Sequence, residues 1–342
     1  MQQEWSAGEV ALMQHALALA ALGPAMDPNP RVGAVLVDRA GQVVGTGYHR
    51  GTGTAHAEAE ALAVAGRLGR GGTLFVTLEP CAHTGRTGPC TEAVIGAGVA
   101  RVVFAQADPN PVARGGASVL RAARVAVEAG LLGQQAAELN RAWTFAVAHE
   151  RPYVVWKFAA TLDGRSAAAD GSSRWITGEA SRADVHDLRA RCGAILVGTG
   201  TVLADDPWLT ARHPDGSLRE RQPLRVVLGE RRVPAGARVR DSAAETLLLS
   251  HRDPDLALKT LADRQIRGVW LEGGPTLASA FLRCGLVDEV TAYLAPALLG
   301  SGAPAVAELG IETLAGALRL DPFDVRVVGQ DVRLRATLTA GP

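Results

Sequence analysis

Apolar positions along the chain occur in short runs separated by longer stretches of mixed polarity. "VGAVLV" (Val32–Val37), "TLFVTL" (Thr73–Leu78) and "RVVFA" (Arg101–Ala105) have the length and β-branched content of buried strands. A further strand is predicted at Gln42–Gly47, and helical spacing predicts helices over Glu9–Leu22, Ala55–Leu68, Pro89–Ala97 and Leu131–His149. Strands that alternate with helices in this way are typical of an α/β layer fold.

The same alternation resumes after a break at "ERP" (Glu150–Pro152). We therefore expect one domain over residues 1–150 and a second over residues 151–342. The second begins with a strand at "YVVWKF", and further strands are predicted at Ala194–Gly198, Leu224–Gly229, Thr246–Ser250, Gly268–Gly274, Val287–Pro296 and Asp324–Gly329. Its predicted helices are Glu179–Arg191, Pro254–Arg264 and a segment that ends at Arg283. The second half is therefore also predicted to be α/β.

Composition narrows the classes of function. The chain has 342 residues, of which 20% are charged, and its formal net charge is zero, so it has no global basic field for nucleic acid or anionic lipid. No apolar run reaches membrane-spanning length, and no Lys or Arg precedes Arg31, which argues against a secretory signal. We expect a cytoplasmic protein with neither a nucleic-acid nor a membrane partner.

A histidine and two cysteines form the strongest chemical signal. "TAHAEAEAL" contains His56, and "LEPCAHTGRTGPC" contains Cys81 and Cys90, each directly after a proline. One imidazole and two thiolates supply three zinc ligands and leave the fourth tetrahedral position to water, whose pKa zinc lowers to about 7. Glu58, two residues after His56, can carry the proton of that water to a leaving group.

This arrangement resembles the H-x-E and P-C-x-x-C signature of zinc nucleobase deaminases, with eight residues instead of two between the cysteines. The alternatives are two small buried residues beside a helix-capping histidine, or a disulfide between Cys81 and Cys90. Clustered Cys and His in a cytosolic chain favour the metal site over the disulfide. Cys192 and Cys284 have no such neighbours in the sequence and are expected in the core.

Two glycine-rich segments in the second half indicate a nucleotide site. "LEGGPTLASAF" (Leu271–Phe281) predicts a strand, a glycine pair and a helix whose first N–H groups can approach a phosphate. "VGTGTVLADDPWLTAR" (Val197–Arg212) is predicted to be a second glycine-rich loop. Neither matches G-x-G-x-x-G, so a standard dinucleotide-binding domain is disfavoured, and a simple tight turn is the alternative interpretation.

The motifs together resemble the bifunctional deaminase–reductase family of riboflavin biosynthesis. The resemblance rests on "DPNPRVGAVLV", "HAEAEAL", "VTLEPCAHTGRTGPC", a second "DPNP" at Asp108–Pro111, "KFAATLDGR" and "LEGGPTLA", and it extends over nearly the whole chain. It implies an N-terminal cytidine-deaminase-like α/β/α zinc domain and a C-terminal dihydrofolate-reductase-like α/β domain. It also implies one Zn²⁺ per chain, NADPH as the second cofactor, and a small phosphorylated pyrimidine as substrate.

The resemblance also implies roles for individual residues. Asn29 and His49 would read the deaminase substrate and Arg86 would meet its phosphate; a turn asparagine and a solvated arginine are the alternatives for Asn29 and Arg86. The cofactor residues it implies are Ala159, Trp175, Thr201, Asp205, Gly274, Pro275, Thr276, Leu277, Ala278, Ser279 and Ala280. The reductase substrate residues it implies are Ser173, Arg189, Leu209, Arg212 and Glu272.

Several single residues and two competing functions remain to be weighed. Without the resemblance, Trp175 would be assigned to the core. Lys157, on the first strand of the second half, is the candidate for polarising or protonating the reductase substrate, and Asp163 is interpreted as a turn or structural residue. A polynucleotide deaminase is disfavoured by the neutral charge and by an aromatic content of 4%. A structural zinc domain is disfavoured because such sites usually have four protein ligands. We also expect a homo-oligomer.

Overall fold

Two separate sheets organise the chain in the computed structural model, which describes residues 4–83 and 88–338. The chain divides into two units, Met1–Glu150 and Arg151–Pro342. The first unit contains β1 (Gly33–Val37), β2 (Val43–Tyr48), β3 (Thr73–Leu78), β4 (Arg101–Gln106) and β5 (Ala126–Ala129). Its helices are α1 (Ala7–Ala20), α2 (Ala57–Ala65), α3 (Cys90–Ala97), α4 (Gly116–Ala122), α5 (Gly133–Leu139) and α6 (Arg141–His149).

The sheet of the first unit has the order β2-β1-β3-β4-β5, in which β1 is antiparallel to both its neighbours and β3, β4 and β5 are parallel. Helices cover both faces. One core contains Ala61 of α2, Val94 of α3 and Leu120 of α4, and the other contains Met13 of α1 and Ala136 of α5. The first unit is therefore the predicted α/β/α sandwich.

Local sequence explains how two of these helices are placed. Helix α1 begins with a capping box, in which the Ser6 hydroxyl accepts a hydrogen bond from the Glu9 N–H and the Glu9 carboxylate accepts one from the Ser6 N–H. Helix α2 is alanine-rich and lies directly on β2. A Cβ atom on Gly47 would stand 2.4 Å from the Ala57 carbonyl oxygen, so only glycine permits this approach. The close contact fixes the start of α2, where His56 is the N-cap residue.

The second unit contains β6 (Tyr153–Thr161), β7 (Ala194–Gly198), β8 (Leu224–Leu228), β9 (Thr246–Leu249), β10 (Gly268–Leu271), β11 (Glu289–Ala295), β12 (Leu320–Val328) and β13 (Asp331–Leu338). Its helices are α7 (Glu179–Arg189), α8 (Thr199–Asp205), α9 (Pro254–Asp263) and α10 (Pro275–Arg283). The sheet order is β12-β13-β11-β6-β10-β7-β8-β9. The six strands from β11 to β9 are parallel, β13 runs antiparallel to them, and β12 pairs antiparallel with β13.

One face of the second sheet is the main core of this unit. Val154 and Trp156 of β6 pack there with Leu271 of β10 and with Ala278 and Phe281 of α10. Side chains alternate across a strand, so Lys157 and Ala159 of β6 lie on the opposite face. Because the parallel strands end at one edge, the segments that follow β10, β7 and β8 lie next to one another there. Among the described residues, none of the helices combines the length and the apolar character needed to cross a bilayer.

The structure corrects two predicted elements and adds three. Leu131–His149 is not a single helix, because Asn140 separates α5 from α6 with its side chain turned to the Arg31 backbone. The second glycine-rich segment is not a continuous loop, because it contains α8. The elements missing from the sequence prediction are α4, β5 and β13. Helix α4 has only seven residues, and β5 is partly exposed, so the periodic signal of both is weak.

Candidate active sites

Three side chains converge at one end of the first sheet. His56 caps the start of α2, Cys90 is the first residue of α3, and Cys81 follows β3 by three residues. Their ligand atoms all lie within 4.8 Å of one another. The His56 Nδ1 atom is 3.2 Å from Cys90 Sγ and 3.6 Å from Cys81 Sγ. The predicted ligands therefore meet, and Cys81 and Cys90 are free thiols, so the disulfide interpretation is wrong.

These distances fit a tetrahedral zinc ion. Zn–N and Zn–S bonds of about 2.0–2.3 Å at tetrahedral angles separate a nitrogen and a sulfur ligand by about 3.5 Å, and the two measured distances lie on either side of that value. The set provides one imidazole and two thiols, which is the donor set of an open catalytic site with one free position. Among the described residues, His56, Cys81 and Cys90 form the group of side chains that could hold a metal ion.

The thiols are polarised even without a metal. A hydrogen bond from Cys90, supported by His56, lowers the pKa of the Cys81 thiol, and the same bond raises the pKa of Cys90. The Cys90 N–H also points to Cys81 Sγ at 3.4 Å. Helix α3 begins at Cys90, so its positive end faces the sulfur atoms. These features favour the thiolate form at Cys81, which is the form that a zinc ligand requires.

Glu58 lies beside the metal ligands but is not one of them. It is the second residue of α2 and is 4% exposed. Burial raises the pKa of its carboxyl group, although the nearby His56 opposes the shift. A carboxyl group whose pKa approaches the working pH can both accept and return a proton. The environment of Glu58 therefore suits a proton carrier.

Asn29 and His49 form a pair next to this centre. The Asn29 Nδ2 atom is 3.2 Å from His49 Nε2, and His49 Nδ1 is 3.1 Å from the Ala55 carbonyl oxygen. These contacts require His49 to donate from Nδ1 and accept at Nε2. The rings of His49 and His56 stand edge to face with centroids 5.5 Å apart. His49 therefore lies against the predicted metal ligand His56, and Asn29 is hydrogen-bonded to His49.

The loop that carries Asn29 is held from two sides. Asp27 accepts a hydrogen bond from the Asn29 N–H at 3.0 Å and others from Thr52. Asn140 accepts from the Arg31 N–H at 2.9 Å and donates to the Arg31 carbonyl oxygen at 2.8 Å. Asn140 is 4% exposed. The break between α5 and α6 therefore serves to fix the segment that presents Asn29.

The second "DPNP" segment also lies beside the metal ligands, which the sequence did not reveal. Asp108 accepts from the Asn110 N–H at 2.8 Å, so it forms the same local turn as Asp27 with Asn29. Burial raises the pKa of Asp108 to about 6, and the neighbouring Glu79 adds to the shift. The buried Glu79 accepts hydrogen bonds from three backbone N–H groups, those of Asp108, Gly115 and Ala117. The sequence signal that could have identified Glu79 is its position directly before Pro-Cys in "LEPC".

His83 and the predicted phosphate contact Arg86 lie at or beyond the edge of a described segment. His83 is half-buried, and its Nδ1 atom is buried without a hydrogen-bond partner among the described residues. It also contributes to the electrostatic environment of Asp108. Arg86, the predicted phosphate contact, lies outside the described residues.

A second group of charged side chains lies on the face of the second sheet opposite its main core. The guanidinium of Arg189, at the end of α7, donates to both carboxylate oxygens of Glu272, with 2.7 Å between Nε and Oε1. The indole N–H of Trp270 also donates to Glu272. The side chains of Arg189 and Glu272 are only 16% and 9% exposed. Burial opposes ionisation of Glu272, but Arg189 and Lys157 hold its pKa at about 2.

Lys157 belongs to the same group. Its ammonium nitrogen is 6.0 Å from the centroid of the Tyr293 ring. Desolvation lowers its pKa, Arg189 lowers it further, and Glu272 opposes both effects. A lysine with a lowered pKa can release a proton at a pH closer to neutrality than an exposed lysine. The surroundings of Lys157 are therefore consistent with the predicted proton donor.

The Thr210 segment joins the remaining predicted substrate residues to this group. Its carbonyl oxygen accepts from Arg189 at 3.2 Å and contacts His186 Nδ1 at 3.2 Å, and its hydroxyl accepts from Arg212 Nε at 3.0 Å. Leu209, directly before it, is 3% exposed. His186 was not predicted; it lies one turn before Arg189 on α7, and burial lowers its pKa. Arg189, Leu209, Arg212 and Glu272 are thus brought to one region.

The predicted cofactor residues are distributed along the edge where the parallel strands end. Gly274 is the N-cap of α10, no side chain caps this helix, and the predicted run Gly274–Ala280 forms its first turns. Thr201 and Asp205 lie on α8, which follows β7, the neighbour of β10. Ala159 is half-buried on the Lys157 face of β6. A phosphate-bearing nucleotide fits this edge, because the backbone is uncovered at the start of α10.

Four residues of this unit have separate outcomes. Trp175 is 69% exposed and its ring lies 4.5 Å from the Arg182 guanidinium carbon, so the core alternative is wrong and the side chain is accessible to a ligand. Ser173 is half-buried and, within the described residues, makes no hydrogen bond to the charged group described above. Cys192 is buried as expected, whereas Cys284 is exposed at the end of α10, so its assignment to the core is wrong.

The fold and the two groups of residues define a zinc deaminase domain joined to a nicotinamide-dependent reductase domain. Residues 8–106 match the family model described as the cytidine and deoxycytidylate deaminase zinc-binding region, and residues 152–334 match the RibD C-terminal domain. The chain belongs to the RibD family of riboflavin biosynthesis proteins. It is an enzyme with deaminase and reductase activities, and its cofactors are zinc and NADPH.

Similar proteins cover almost the whole chain. The riboflavin biosynthesis protein RibD of Mycobacterium tuberculosis is 51% identical over 90% of this chain and 90% of its own length. The Escherichia coli protein is 42% identical over 94% of this chain and 97% of its own length. A solved structure of Acinetobacter baumannii RibD is 40% identical, with a TM-score of 0.88 over 97% of this chain and 99% of that one. The predicted family and fold class are confirmed.

A further solved structure gives a chemical name. It is a diaminohydroxyphosphoribosylaminopyrimidine deaminase/5-amino-6-(5-phosphoribosylamino)uracil reductase from Thermotoga maritima. It is 32% identical, with a TM-score of 0.88 over 97% of this chain and 99% of that one.

Proposed function

We propose that the chain catalyses two consecutive reactions on one phosphorylated pyrimidine. The first is hydrolytic deamination of 2,5-diamino-6-(5-phosphoribosylamino)pyrimidin-4(3H)-one. The second is NADPH-dependent reduction of its ribosyl group to ribityl. The support is the name of the Thermotoga maritima relative, together with a deaminase metal site and a separate reductase face in this chain. We expect neither nucleic acid nor a membrane as a partner.

The residues of the first site would divide the work of deamination. Zinc, held by His56, Cys81 and Cys90, would lower the pKa of the attacking water and make it nucleophilic at neutral pH. Glu58 would take a proton from the water and give it to the leaving amino group, which departs as ammonia. Asn29 and His49 would hydrogen-bond the pyrimidine, because an amide fixed by a neighbour can read the edge of a heterocycle.

The residues of the second site would orient and protonate the opened sugar. NADPH would supply the hydride to C1′. Lys157 would supply the proton to the amino nitrogen that is bonded to C1′. Glu272, held by Arg189, would contact the substrate, and Arg212 would meet its phosphate. Ser173 and Leu209 would complete the substrate contacts, and the cofactor would lie along Ala159, Trp175, Thr201, Asp205 and residues 274–280. Arg86 would meet the phosphate in the first site.

We further propose that residues 1–150 form the deaminase and residues 151–342 the reductase. The supporting observation is that the ligand atoms of His56, Cys81 and Cys90 and the ion pair of Arg189 with Glu272 lie in different units of the chain. Each unit also has its own buried core. Independent cores allow one reaction to be lost while the other is kept.

The experiment is a two-by-two assay. Glu58→Gln and Arg189→Ala are each tested for ammonia release from the diaminopyrimidine and for NADPH oxidation with the deaminated intermediate. Glu58→Gln is expected to lose only the first activity and Arg189→Ala mainly the second. Loss of reduction in a folded Glu58→Gln variant would contradict the division into two sites.

We also propose that the enzyme is a cytoplasmic homo-oligomer. Strand β12 is an edge strand of the second sheet, and Val325 and Val327 on it are 60% and 72% exposed. An exposed apolar edge strand is commonly covered by another chain. Light scattering should give a mass at least twice that of the 35.6 kDa chain. A monomer at micromolar concentration would contradict this proposal.

A further inference from the structure

Arg231 lies three residues beyond β8, at the edge where the parallel strands end. Its Nη2 atom is 2.6 Å from the point where a Cβ atom on Gly200 would stand, so the guanidinium covers the Gly200 backbone. At Gly229, where φ is +140°, a Cβ atom would stand 2.5 Å from the Thr199 hydroxyl oxygen. The segments after β7 and β8 therefore touch, and Arg231 lies over the contact.

The charge of Arg231 is available to a ligand. The side chain is exposed, and within residues 4–83 and 88–338 it has no hydrogen bond or ion pair. The neighbouring carboxylate does not neutralise it, because Glu230 pairs with Arg252 at 3.0 Å. Asp206, another carboxylate in this region, pairs with Arg238 at 3.4 Å. An unpaired arginine fork beside a nucleotide site matches the geometry of a phosphate group.

The position of Arg231 indicates which phosphate it would meet. The inference rests on the proposed placement of NADPH along this edge, with its pyrophosphate near Gly274 after β10. Strands β10, β7 and β8 are neighbours, so Arg231 lies two strand spacings away, about 10 Å. NADPH differs from NADH by one phosphate, on the 2′ oxygen of the adenosine ribose, and an arginine near the ribose is a common means of accommodating it.

We propose that Arg231 binds the 2′-phosphate of NADPH and thereby makes the reductase site prefer NADPH to NADH. The residues assigned to the cofactor by resemblance contain no cation, so they do not account for a preference for the more highly charged cofactor. Arg231 provides the positive charge at a point that the pyrophosphate, if it lies near Gly274, would not occupy. A lysine at this position would keep the charge but not the two-pronged contact.

The test compares dissociation constants for NADPH and NADH, measured by calorimetry on the full-length wild type, Arg231→Ala and Arg231→Lys. Arg232→Ala is the matched control, since it removes the same charge one residue away. Arg231→Ala should bind NADPH ten- to a hundredfold more weakly, which is the loss of one charge-assisted hydrogen bond. NADH binding should stay within twofold, which also shows that the site remains folded. Arg231→Lys should lie between the wild type and Arg231→Ala.

Three results would overturn the inference. Equal weakening of NADPH and NADH binding by Arg231→Ala would indicate that the arginine contacts the pyrophosphate, which both nucleotides contain. Equal loss of NADPH binding in Arg231→Ala and Arg232→Ala would indicate a diffuse electrostatic effect. Unchanged NADPH binding in Arg231→Ala would exclude the contact. A wild-type protein that binds neither nucleotide would contradict the proposed cofactor placement itself, which distinguishes that failure from the other three.

Discussion

Replacing Glu58 by glutamine separates a catalytic role from a structural one. Glu58 is 4% exposed, and burial raises the pKa of its carboxyl group. A buried carboxylate carries a desolvation cost, which neutral glutamine of nearly the same shape does not. We therefore expect Glu58→Gln to keep its zinc and to unfold at the wild-type temperature or slightly above it.

The expected loss of activity is large. A positioned acid–base group contributes typically 10²- to 10⁴-fold to a rate, which corresponds to about 3–5 kcal/mol of activation free energy. Ammonia release under saturating substrate should fall by this factor, because glutamine can neither take nor return the proton. Zinc content by elemental analysis and thermal unfolding by circular dichroism complete the assay.

The control is Glu60→Gln on the same helix. Glu60 pairs with Arg50 at 3.0 Å and accepts a hydrogen bond from the Tyr48 N–H, so it is charged and partly buried but separate from the proposed chemistry. Its loss should cost about 1 kcal/mol of stability or less, with ammonia release within about threefold of wild type. If Glu58→Gln lost zinc or unfolded at a markedly lower temperature, its inactivity would reflect structure and the proton-carrier assignment would fail.

Other variants test the surroundings of the two sites. Cys81→Ala should lower the zinc content of freshly purified protein well below one ion per chain; unchanged zinc would contradict the ligand set. Asn140→Ala removes both hydrogen bonds to the Arg31 backbone, so it should raise the KM of deamination with little change in zinc content. An unchanged KM would show that the Asn29 loop is fixed without the Asn140 side chain. Glu272 has a folded-state pKa of about 2 against an ordinary 4.5, so its ion pair with Arg189 stabilises the protein above pH 4.5 and loses that effect as the pH falls towards 2. At pH 7 Arg189→Ala should therefore cost about 3 kcal/mol of unfolding free energy in the second unit by denaturant titration, and a cost below about 1 kcal/mol would mean that the pair is screened by water.

The metal centre was predictable because each of its parts has a local sequence signature. His56 and Glu58 stand at the first turn of one helix, and Cys81 and Cys90 each follow a proline at the end or beginning of a predicted element. Only the meeting of these three segments in space had to be inferred. The chemistry of the ligands decided that step, since two thiols and an imidazole in a chain expected to be cytoplasmic have few other uses.

The contacts around the metal centre were less predictable. The sequence placed Asn29 in a rigid turn but did not reveal that Asn140 holds that turn. Residues 131–149 have continuous helical spacing, and the break at Asn140 arises from a hydrogen-bond partner far away in the chain. A tertiary contact of this kind overrides local propensity, so a single sequence does not show it.

The sequence identified the residues of the reductase face but not the contacts between them. The resemblance identified Arg189 and Glu272 as separate substrate contacts, whereas their side chains pair with each other. The pair joins the end of α7 to the end of β10, and Lys157 reaches it from β6. Only the order of strands in the sheet brings these elements together. Sequence spacing contains no information on that order.

Glycine is the residue type that sequence reasoning interpreted least completely. In the sequence, Gly47 and Gly200 are indistinguishable from turn residues, which is the common meaning of an isolated glycine. In the structure each one removes a side chain where two segments meet: Gly47 admits α2 against β2, and Gly200 admits the Arg231 guanidinium. The first contact positions His56 for zinc and the second positions a cation for a phosphate. Alanine at Gly47 would have to push α2 away from the sheet, and His56 at the start of α2 would move with it. The geometry of the metal centre therefore depends on glycine at position 47.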